Sequence, residues 1–289
     1  RAAEAVYQQA VELINGAKRP VIFAGHGVML SGAIDLVREI AERANIPVAM
    51  TLLGIGSFPA MHPLNLGMMG MHGEAWVNQA IQEADLLLAF GMRFDDRVTG
   101  NVKTYAPNAR KIHIDIDPAE FHKNVLVDVT LAGDLSNVLS DLLPRVESGD
   151  RSQWLAAISE MKGDSAVRDV QNLPDSGHLY AAHVINDIWR LTEGNAVVVT
   201  DVGQHQMWEA QYYHHQEPRS LITSGGLGTM GFALPAAIGA KLSRPDAEVW
   251  VVVGDGGFQM TMCELATIAQ EKVKINVAII NNGYLGMVR

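Results

Sequence analysis

The chain has 289 residues, a formal net charge of −10, and 48% hydrophobic but only 6% aromatic residues. A chain of this length suits two α/β domains better than one hydrophobic core. The acidic balance argues against a surface for nucleic acids or anionic membranes, and no stretch is long and apolar enough for a membrane span. The single cysteine, Cys263, excludes a disulfide within the chain. We therefore expect a cytoplasmic protein, or a plastid or mitochondrial one in a eukaryote.

The first half of the chain alternates predicted strands and helices. Short β-branched or apolar runs predict strands at 20–24, 47–51, 85–90, 111–116 and 129–132. Apolar residues at helical spacing predict helices over 31–44, 73–83 and 134–146. This alternation indicates a doubly wound parallel sheet of about six strands, which we assign to a domain over residues 1–146.

A second α/β domain is predicted over residues 178–289. The segment before it, 147–177, is polar around one helix that carries Trp154, Ile158 and Met161, and we interpret that segment as a linker. The second domain is predicted to contain helices over 178–191 and 258–270 and strands at 196–200, 248–253 and 275–280.

Two kinds of side chain in this second domain carry expectations of their own. Cys263 lies inside a predicted helix, so we expect a core thiol rather than a nucleophile. His214 and His215 are adjacent and lack the spacing of metal ligands, which predicts a solvated turn.

The most informative motif is Gly254-Asp255-Gly256, followed by Asn281-Asn282 after a helix-length spacer. Asp255 follows one predicted parallel strand and Asn282 follows the next, at the edge where open α/β sheets bind phosphates. A carboxylate, an amide oxygen and a nearby backbone carbonyl are oxygen ligands suited to Mg²⁺. The segment lacks the Gly-Lys-Ser/Thr of a P-loop, so the metal rather than a lysine has to neutralise a diphosphate. The alternative is a Gly-rich turn in which Asp255 only caps a helix.

Five longer stretches resemble acetohydroxyacid synthase (acetolactate synthase), a thiamin-diphosphate enzyme, and the resemblance runs along the whole chain. These stretches are 66–73, 90–100, 201–208, 224–239 and 281–289. In this family Gly-Asp-Gly followed by Asn-Asn is the diphosphate-binding signature. The resemblance thus implies Mg²⁺ ligands at Asp255, Asn282 and the carbonyl of Tyr284.

The same resemblance implies thiamin diphosphate, Mg²⁺ and a structural FAD as cofactors. Thiamin diphosphate is expected at Gly203, Gln204, His205, Gly228, Thr229, Met230, Gly254, Gly256 and Gly257. FAD is expected in the first domain at Gly25, Thr51, Leu52, Met69, Gly70, Met71, His72, Gly91, Met92, Arg93, Phe94, Asp95, Asp115, Ile116, Asp134 and Leu135. The residues by themselves leave a nucleotide-like ligand and a purely structural domain both open, because the domain has no Gly-x-Gly-x-x-Gly fingerprint.

Three side chains match family positions near the reacting centre. Met230 resembles the bulky residue beneath the cofactor rings that keeps the cofactor bent, although a core methionine would look the same in isolation. Arg97 matches a position in the substrate channel, and Met71 matches a residue near the same pocket. The alternative for Arg97 is a loop ion pair with the preceding acidic residues.

The resemblance implies decarboxylation of pyruvate and carboligation to a second 2-keto acid in branched-chain amino-acid biosynthesis. The product is acetolactate, or acetohydroxybutyrate when 2-ketobutyrate is the acceptor. The implied assembly is a homodimer or tetramer of catalytic subunits with a small regulatory subunit. Both ends of the chain look cut, and the family's pyrimidine-binding domain, which supplies a glutamate for proton transfer, is absent. We therefore expect residues 1–289 alone to be inactive.

Two alternatives stay open at this point. A related decarboxylase or carboligase, such as benzoylformate decarboxylase or glyoxylate carboligase, would share residues 254–256 and 281–282 but not the stretches at 67–73 and 93–100. A non-catalytic nucleotide-binding or structural fragment is the alternative from a different class.

Overall fold

A computed structural model describes residues 3–166, 169–172, 174 and 176–289. The chain forms two compact units, Arg1–Asp169 and Val170–Arg289. Each unit is built around one parallel sheet, which confirms the predicted α/β class. None of the helices in the described part of the chain has the length and apolar character required to cross a bilayer.

The sheet of the first unit has six strands. They are β1 (Pro20–Ala24), β2 (Val48–Met50), β3 (Asn65–Met68), β4 (Leu86–Phe90), β5 (Arg110–Asp115) and β6 (Val129–Ala132). Their order in the sheet is β3-β2-β1-β4-β5-β6, and all neighbours are parallel. The chain thus winds outward in both directions from β1, as in doubly wound dinucleotide-binding folds.

Helices connect these strands and cover the sheet. They are α1 (Glu4–Gly16), α2 (His26–Leu30), α3 (Ile34–Ala44), α4 (Ala75–Glu83), α5 (Asp96–Thr99), α6 (Leu135–Leu142) and α7 (Ser152–Ala166). The helix predicted over 31–44 corresponds to α3, which begins at Ile34, and the short α2 precedes the predicted range. Gly32, at φ +68°, separates them, since a left-handed backbone cannot continue a helix.

The helix α7 packs as part of the first unit, although the sequence predicts it inside a linker. Trp154, Ile158 and Met161 are buried in the same core cluster as residues of β1, β4 and α4. Just before the helix, the guanidinium of Arg151 donates hydrogen bonds to the carbonyls of Ile14, Ala17 and Ala44. The sequence shows a polar segment because α7 buries only one stripe of side chains. Residues 167, 168, 173 and 175 of the predicted linker lie outside the described residues.

The second unit contains a four-stranded parallel sheet. Its strands are β7 (Val197–Thr200), β8 (Leu221–Thr223), β9 (Val249–Gly254) and β10 (Asn276–Ile280), in the order β10-β9-β7-β8. Its helices are α8 (Ala181–Leu191), α9 (Gln204–Tyr212), α10 (Ala233–Ser243), α11 (Asp255–Thr261) and α12 (Leu265–Gln270).

Both faces of this second sheet are covered. Val197 and Val199 of β7 pack in one cluster with residues of α10, while Val198 packs in another with residues of α8. Successive side chains of a strand point to opposite faces. A continuous valine run is therefore what a strand buried on both sides requires.

The helix predicted over 258–270 differs most from the structure. It starts earlier, at Asp255, and a 3₁₀ turn at Met262–Glu264 divides it into α11 and α12. Cys263 lies in that turn and is exposed, so the prediction of a core thiol is wrong. Met262 and Leu265, two other apolar residues of the predicted helix, are exposed as well, whereas Phe258 packs against the core.

Candidate functional site

A pocket lies where the strand order of the second sheet reverses, between β7 and β9. At such a switch point the connections leave in opposite directions and open a crevice at the carboxyl ends of the strands. The pocket has a volume of about 200 Å³. One water takes roughly 30 Å³ in the liquid, so the pocket is of small-molecule rather than single-water size.

The pocket wall contains nearly all the residues predicted for thiamin diphosphate and Mg²⁺. Of those twelve, Thr229 alone does not line it. The backbone N–H of Thr229 instead donates to Ser224 Oγ at 3.0 Å, within the loop after β8. Trp208 and Leu285 line the pocket too, although no sequence motif predicts them there.

His205 is the buried imidazole of this wall. Burial lowers the pKa of His205, and the nearby carboxylates of Asp201 and Asp255 act in the opposite direction. Its Nε2 atom is buried and has no hydrogen-bond partner among the described residues. Buried polar atoms are nearly always hydrogen-bonded, so this one marks a place where a ligand is expected.

Two of the predicted glycines make room for this imidazole. A Cβ atom on Gly203, whose φ is +155°, would lie 2.7 Å from His205 Cε1, and one on Gly254 would lie 3.0 Å from His205 Nδ1. Glycine at 203 and 254 thus lets the ring pack directly on the backbone of two strand-end loops.

Asp255 and Asn282 follow neighbouring strands whose last residues, Gly254 and Ile280, are paired in the ladder. Asp255 is the first residue of α11. The side-chain oxygen of Asn282 accepts the N–H of Tyr284 at 3.0 Å, and its amide donates to Gln204 Oε1 at 3.2 Å. No group of three or more His, Cys, Asp or Glu residues able to hold a metal occurs within the described ranges. The predicted Mg²⁺ ligands do not form such a group, because only one of them is a carboxylate and the other two are an amide oxygen and a backbone carbonyl.

Asp201, for which the sequence predicts no role, is fully buried below this pocket. Its Oδ1 accepts the backbone N–H groups of Val202 at 2.9 Å and Gly231 at 3.0 Å, and its Oδ2 accepts that of Ala233 at 3.0 Å. A Cβ atom on Gly257 would lie 2.6 Å from Asp201 Oδ1. Its position directly after a buried valine strand is the only sequence signal for this role.

The prediction that His215 lies in a solvated turn is wrong, because its side chain belongs to a buried polar cluster next to α9. His215 is 1% exposed, so it is not part of a solvated turn. Its Nε2 lies 2.7 Å from Glu209 Oε1 and its Nδ1 lies 2.6 Å from Ser220 Oγ. His214 packs edge-on against Trp189 at 4.7 Å between ring centroids. The two partners of His215 are Glu209, six residues earlier on α9, and Ser220, five residues later in a loop. The spacing of metal ligands in a sequence gives no indication of such a contact.

In the first unit, the predicted FAD residues follow the carboxyl ends of the strands, and three glycines there allow close packing of the backbone. A Cβ atom on Gly25 would lie 2.2 Å from the carbonyl oxygen of Gly91, and one on Gly27 would lie 2.7 Å from Gly91 Cα. Gly91 itself has φ +57°. These glycines allow two backbone segments to pack against each other at the switch point between β1 and β4.

Most other side chains in the predicted FAD set already have partners within the protein. Those buried in the core are Met69, Met92, Phe94 and Leu135. Those that cap helices by accepting backbone N–H groups are Thr51, Asp95 and Asp134. Leu52 starts the short helical turn that Thr51 caps. Asp115 accepts the N–H of Asp117 at 2.9 Å. Arg93, which pairs with Asp95 at 3.3 Å, and Ile116 are exposed.

The structure brings Arg97 and Met71 together. The backbone N–H of Met71 donates to the carbonyl of Arg97 at 2.7 Å, and the guanidinium lies 3.7 Å from Met71 Sδ. Gly70 makes this approach possible, because a Cβ atom there would lie 2.4 Å from the Arg97 carbonyl oxygen. Burial and the adjacent Arg97 charge lower the pKa of His72. Both Arg97 and Met71 are exposed, so a ligand can reach them.

Comparison with known protein families matches both units. The family described as "Thiamine pyrophosphate enzyme, central domain" matches residues 7–142. The family described as "Thiamine pyrophosphate enzyme, C-terminal TPP binding domain" matches residues 201–289, which include the whole pocket wall. The chain belongs to the thiamine pyrophosphate enzymes. Thiamine pyrophosphate is thiamin diphosphate, so the cofactor expected from the sequence is that of the family.

The relatives of this chain include acetolactate synthases. The chain is 47% identical to the acetolactate synthase large subunit of Corynebacterium glutamicum over 288 residues, which cover 98% of this chain and 46% of the relative. It is 47% identical to a probable acetolactate synthase large subunit of Methanocaldococcus jannaschii over 97% of this chain and 49% of the relative. It is 46% identical to an acetolactate synthase of Mycobacterium bovis over 98% and 46%. The chain thus spans about half the length of these relatives.

Proposed function

We propose that this chain forms the central and cofactor-binding parts of an acetolactate synthase. The observation that carries the proposal is the pocket at the switch point of the second sheet, because its wall contains the predicted diphosphate and metal residues of the family. The proposed reaction is decarboxylation of pyruvate followed by carboligation to pyruvate or 2-ketobutyrate. Identity of 46% to 47% with acetolactate synthases supports this choice over other thiamine pyrophosphate enzymes.

The residues of the pocket fit a magnesium diphosphate. Asp255, the side-chain oxygen of Asn282 and the carbonyl of Tyr284 would hold Mg²⁺ through oxygen atoms, which is the ligand type that this ion prefers. The unpartnered Nε2 of His205 would bind a diphosphate oxygen. Gly256 leaves room for the Leu285 side chain in this wall, since a Cβ atom there would lie 2.9 Å from Leu285 Cδ2.

The thiazolium of thiamin diphosphate supplies an electron sink for cleaving the carboxyl group of a 2-keto acid. Met230 would support the rings from below, and the loop residues around Gly228 would contact the aminopyrimidine edge. Apolar Val202 and Leu285 in the same wall would keep water from the reacting carbon.

The activity is tested by measuring acetolactate from pyruvate with the protein as its gene encodes it, including any flanking sequence. We expect formation of acetolactate that depends on thiamin diphosphate and Mg²⁺. The variant Asp255→Ala should lose cofactor binding in calorimetry while keeping its circular dichroism spectrum. Asp246→Ala removes an exposed carboxylate from the same unit and is the matched control. Unchanged cofactor affinity in Asp255→Ala would contradict the metal site.

We also propose that the first unit binds FAD along the carboxyl edge of its sheet. The placement of the predicted residues after β1, β2, β3, β4, β5 and β6 supports this. Substituting Gly91 would disturb the backbone contact with Gly27 and is a poor test. Ile116→Asp is sharper, because the side chain is exposed and a carboxylate would repel the flavin's diphosphate. We expect a lower flavin absorbance per protein than in the control Leu126→Asp, and equal flavin content would count against the site.

For assembly, we propose a homodimer or tetramer of catalytic subunits, with a small regulatory subunit as a further partner. Exposed apolar side chains between α11 and α12, at Met260, Met262 and Leu265, support a covered surface there. Light scattering on the encoded protein should give a multiple of the subunit mass, and Met262→Asp should lower it. A monomer with full activity would overturn this proposal.

A further inference from the structure

The carboxylate of Asp201 connects the loops that form the pocket. Its Oδ1 binds one amide in the loop after β7 and another in the loop after β8, and it lies against Gly257 in the first turn of α11. Its Oδ2 binds the first amide of α10. One buried carboxylate therefore joins the loops after β7 and β8 and the start of α10, and it packs against the first turn of α11.

The hydrogen bonds fix the peptide that follows Met230. Gly231 N donates to Asp201, and the carbonyl of the same residue accepts Thr261 Oγ1 at 3.1 Å. Gly231 has φ +84°, a conformation open to glycine and strained for other residues. With its N–H and its carbonyl both bound, this residue has little freedom, and the direction of the Met230 side chain depends on it.

We propose that Asp201 is a positioning residue that holds Met230 against the bound cofactor. The proposal rests on the proposed function, in which Met230 supports the rings of thiamin diphosphate. Asp201 does not line the pocket and acts through the backbone of residues 231–233. Hydrogen bonds to a carboxylate are stronger than neutral ones, which suits a clamp beneath a loop.

The test compares Asp201→Asn with a control of the same chemistry. Asparagine keeps the shape but turns an NH₂ group toward one of three amide donors, so at least one hydrogen bond is lost. Glu209→Gln also removes a buried carboxylate from this unit, and Glu209 neither lines the pocket nor bonds to residues 228–233. Both variants are made in the protein as its gene encodes it.

We expect Asp201→Asn to raise amide hydrogen exchange at residues 229–233 by about tenfold or more, since a hydrogen bond to a charged group is lost. Thiamin diphosphate affinity and kcat should fall by a similar factor, while KM for pyruvate changes little. The circular dichroism of the bound aminopyrimidine should change, because the rings lose their support. Glu209→Gln should leave exchange at 229–233 and this signal as in the parent protein.

Asp201 has only a structural role if Asp201→Asn lowers thermal stability but leaves the loop exchange and the cofactor spectrum unchanged. Should Asp201→Asn fail to fold, the parent protein decides. Its Gly231 and Ala233 amides must then be the slowest to exchange in residues 224–233 without cofactor, and fast exchange overturns the proposal. A parent protein that binds the cofactor but makes no acetolactate refutes the proposed function, and the exchange and spectral comparison still decides the role of Asp201.

Discussion

Glu74, at the N-terminal end of α4, is a carboxyl group whose surroundings favour the protonated form. Burial raises the pKa of Glu74 to about 6, the negative charge of Asp169 adds to this, and Lys162 opposes it. A carboxyl with a higher pKa in the folded than in the unfolded state binds its proton more tightly when folded. The contribution of Glu74 to the free energy of unfolding is therefore fully present below pH 4.5 and is lost as the pH rises through about 6.

Glu74→Gln should remove this pH dependence. The shift corresponds to at most about 2 kcal/mol at neutral pH, so we expect the variant to be more stable than the parent by up to that amount. Urea unfolding at several pH values between 4 and 7 measures it. Glu83→Gln removes an exposed carboxylate from the same helix and serves as the control. A constant difference between Glu74→Gln and the parent at all pH values would contradict the prediction.

The Glu209–His215 contact predicts strong coupling between two substitutions. Both side chains are fully buried, and removal of one partner leaves the other polar group without its bond. Each of Glu209→Leu and His215→Phe alone should destabilise the protein by about 3 kcal/mol or more. Together they should destabilise it by clearly less than the sum, since two apolar side chains replace a buried polar pair. Strict additivity in chemical denaturation would show that the contact has no energetic role.

At the scale of elements, the sequence predicted strands better than helix limits. β1 and β6 were predicted with their observed bounds. Short β-branched or apolar runs between turns are typical of strands in a buried parallel sheet. β3 was missed because Asn65-Leu-Gly-Met68 has no such run, and its ladder with β2 shifts register at Val48. The division of the helix at Met262–Glu264 has no signal in the apolar spacing.

The packing of helix α7 should contribute to the stability of the whole first unit. Trp154 is buried, and its Nε1 donates to the carbonyl of Pro20 at the start of β1 at 3.1 Å. Trp154→Ala should destabilise the unit by about 3–5 kcal/mol through the cavity and the lost bond. Gln153→Ala, at the exposed neighbouring position, should change stability little. Equal stability of the two variants in thermal unfolding would contradict the packing of α7.

At the scale of the molecule, the two units should respond to different ligands. Adding thiamin diphosphate with Mg²⁺ should slow amide exchange in residues 201–289, around β7, β9 and the loop after β8. Adding FAD should slow it in the first unit, after β1, β4 and β5. Mass spectrometry of exchanged peptides measures both effects, with each cofactor serving as the control for the other. Protection of the first unit by thiamin diphosphate alone would contradict this division of cofactors.

The overall architecture and the pocket were largely predictable, while the supports of the pocket were not. Asp255 and Asn282 are polar residues directly after valine- and isoleucine-rich strands, a pattern that local sequence displays. Asp201 stands in an equally plain position, but its partners Gly231 and Ala233 are contacts across the fold. The prediction for His215 was wrong for the same reason, because the burial of its side chain depends on Glu209 and on the path of the chain around α9.

The buried Glu209–His215 contact also has a consequence for how this sequence can change over generations. Loss of either member alone leaves a polar atom inside the unit, so an intermediate with one substitution is penalised. A lineage that abandons the contact has to replace both positions nearly together. Among related chains we expect an acid at position 209 to occur with an imidazole at position 215, and apolar residues to occur at both positions otherwise. If many related chains carry the acid without the imidazole, or the imidazole without the acid, positions 209 and 215 do not covary and the prediction is wrong.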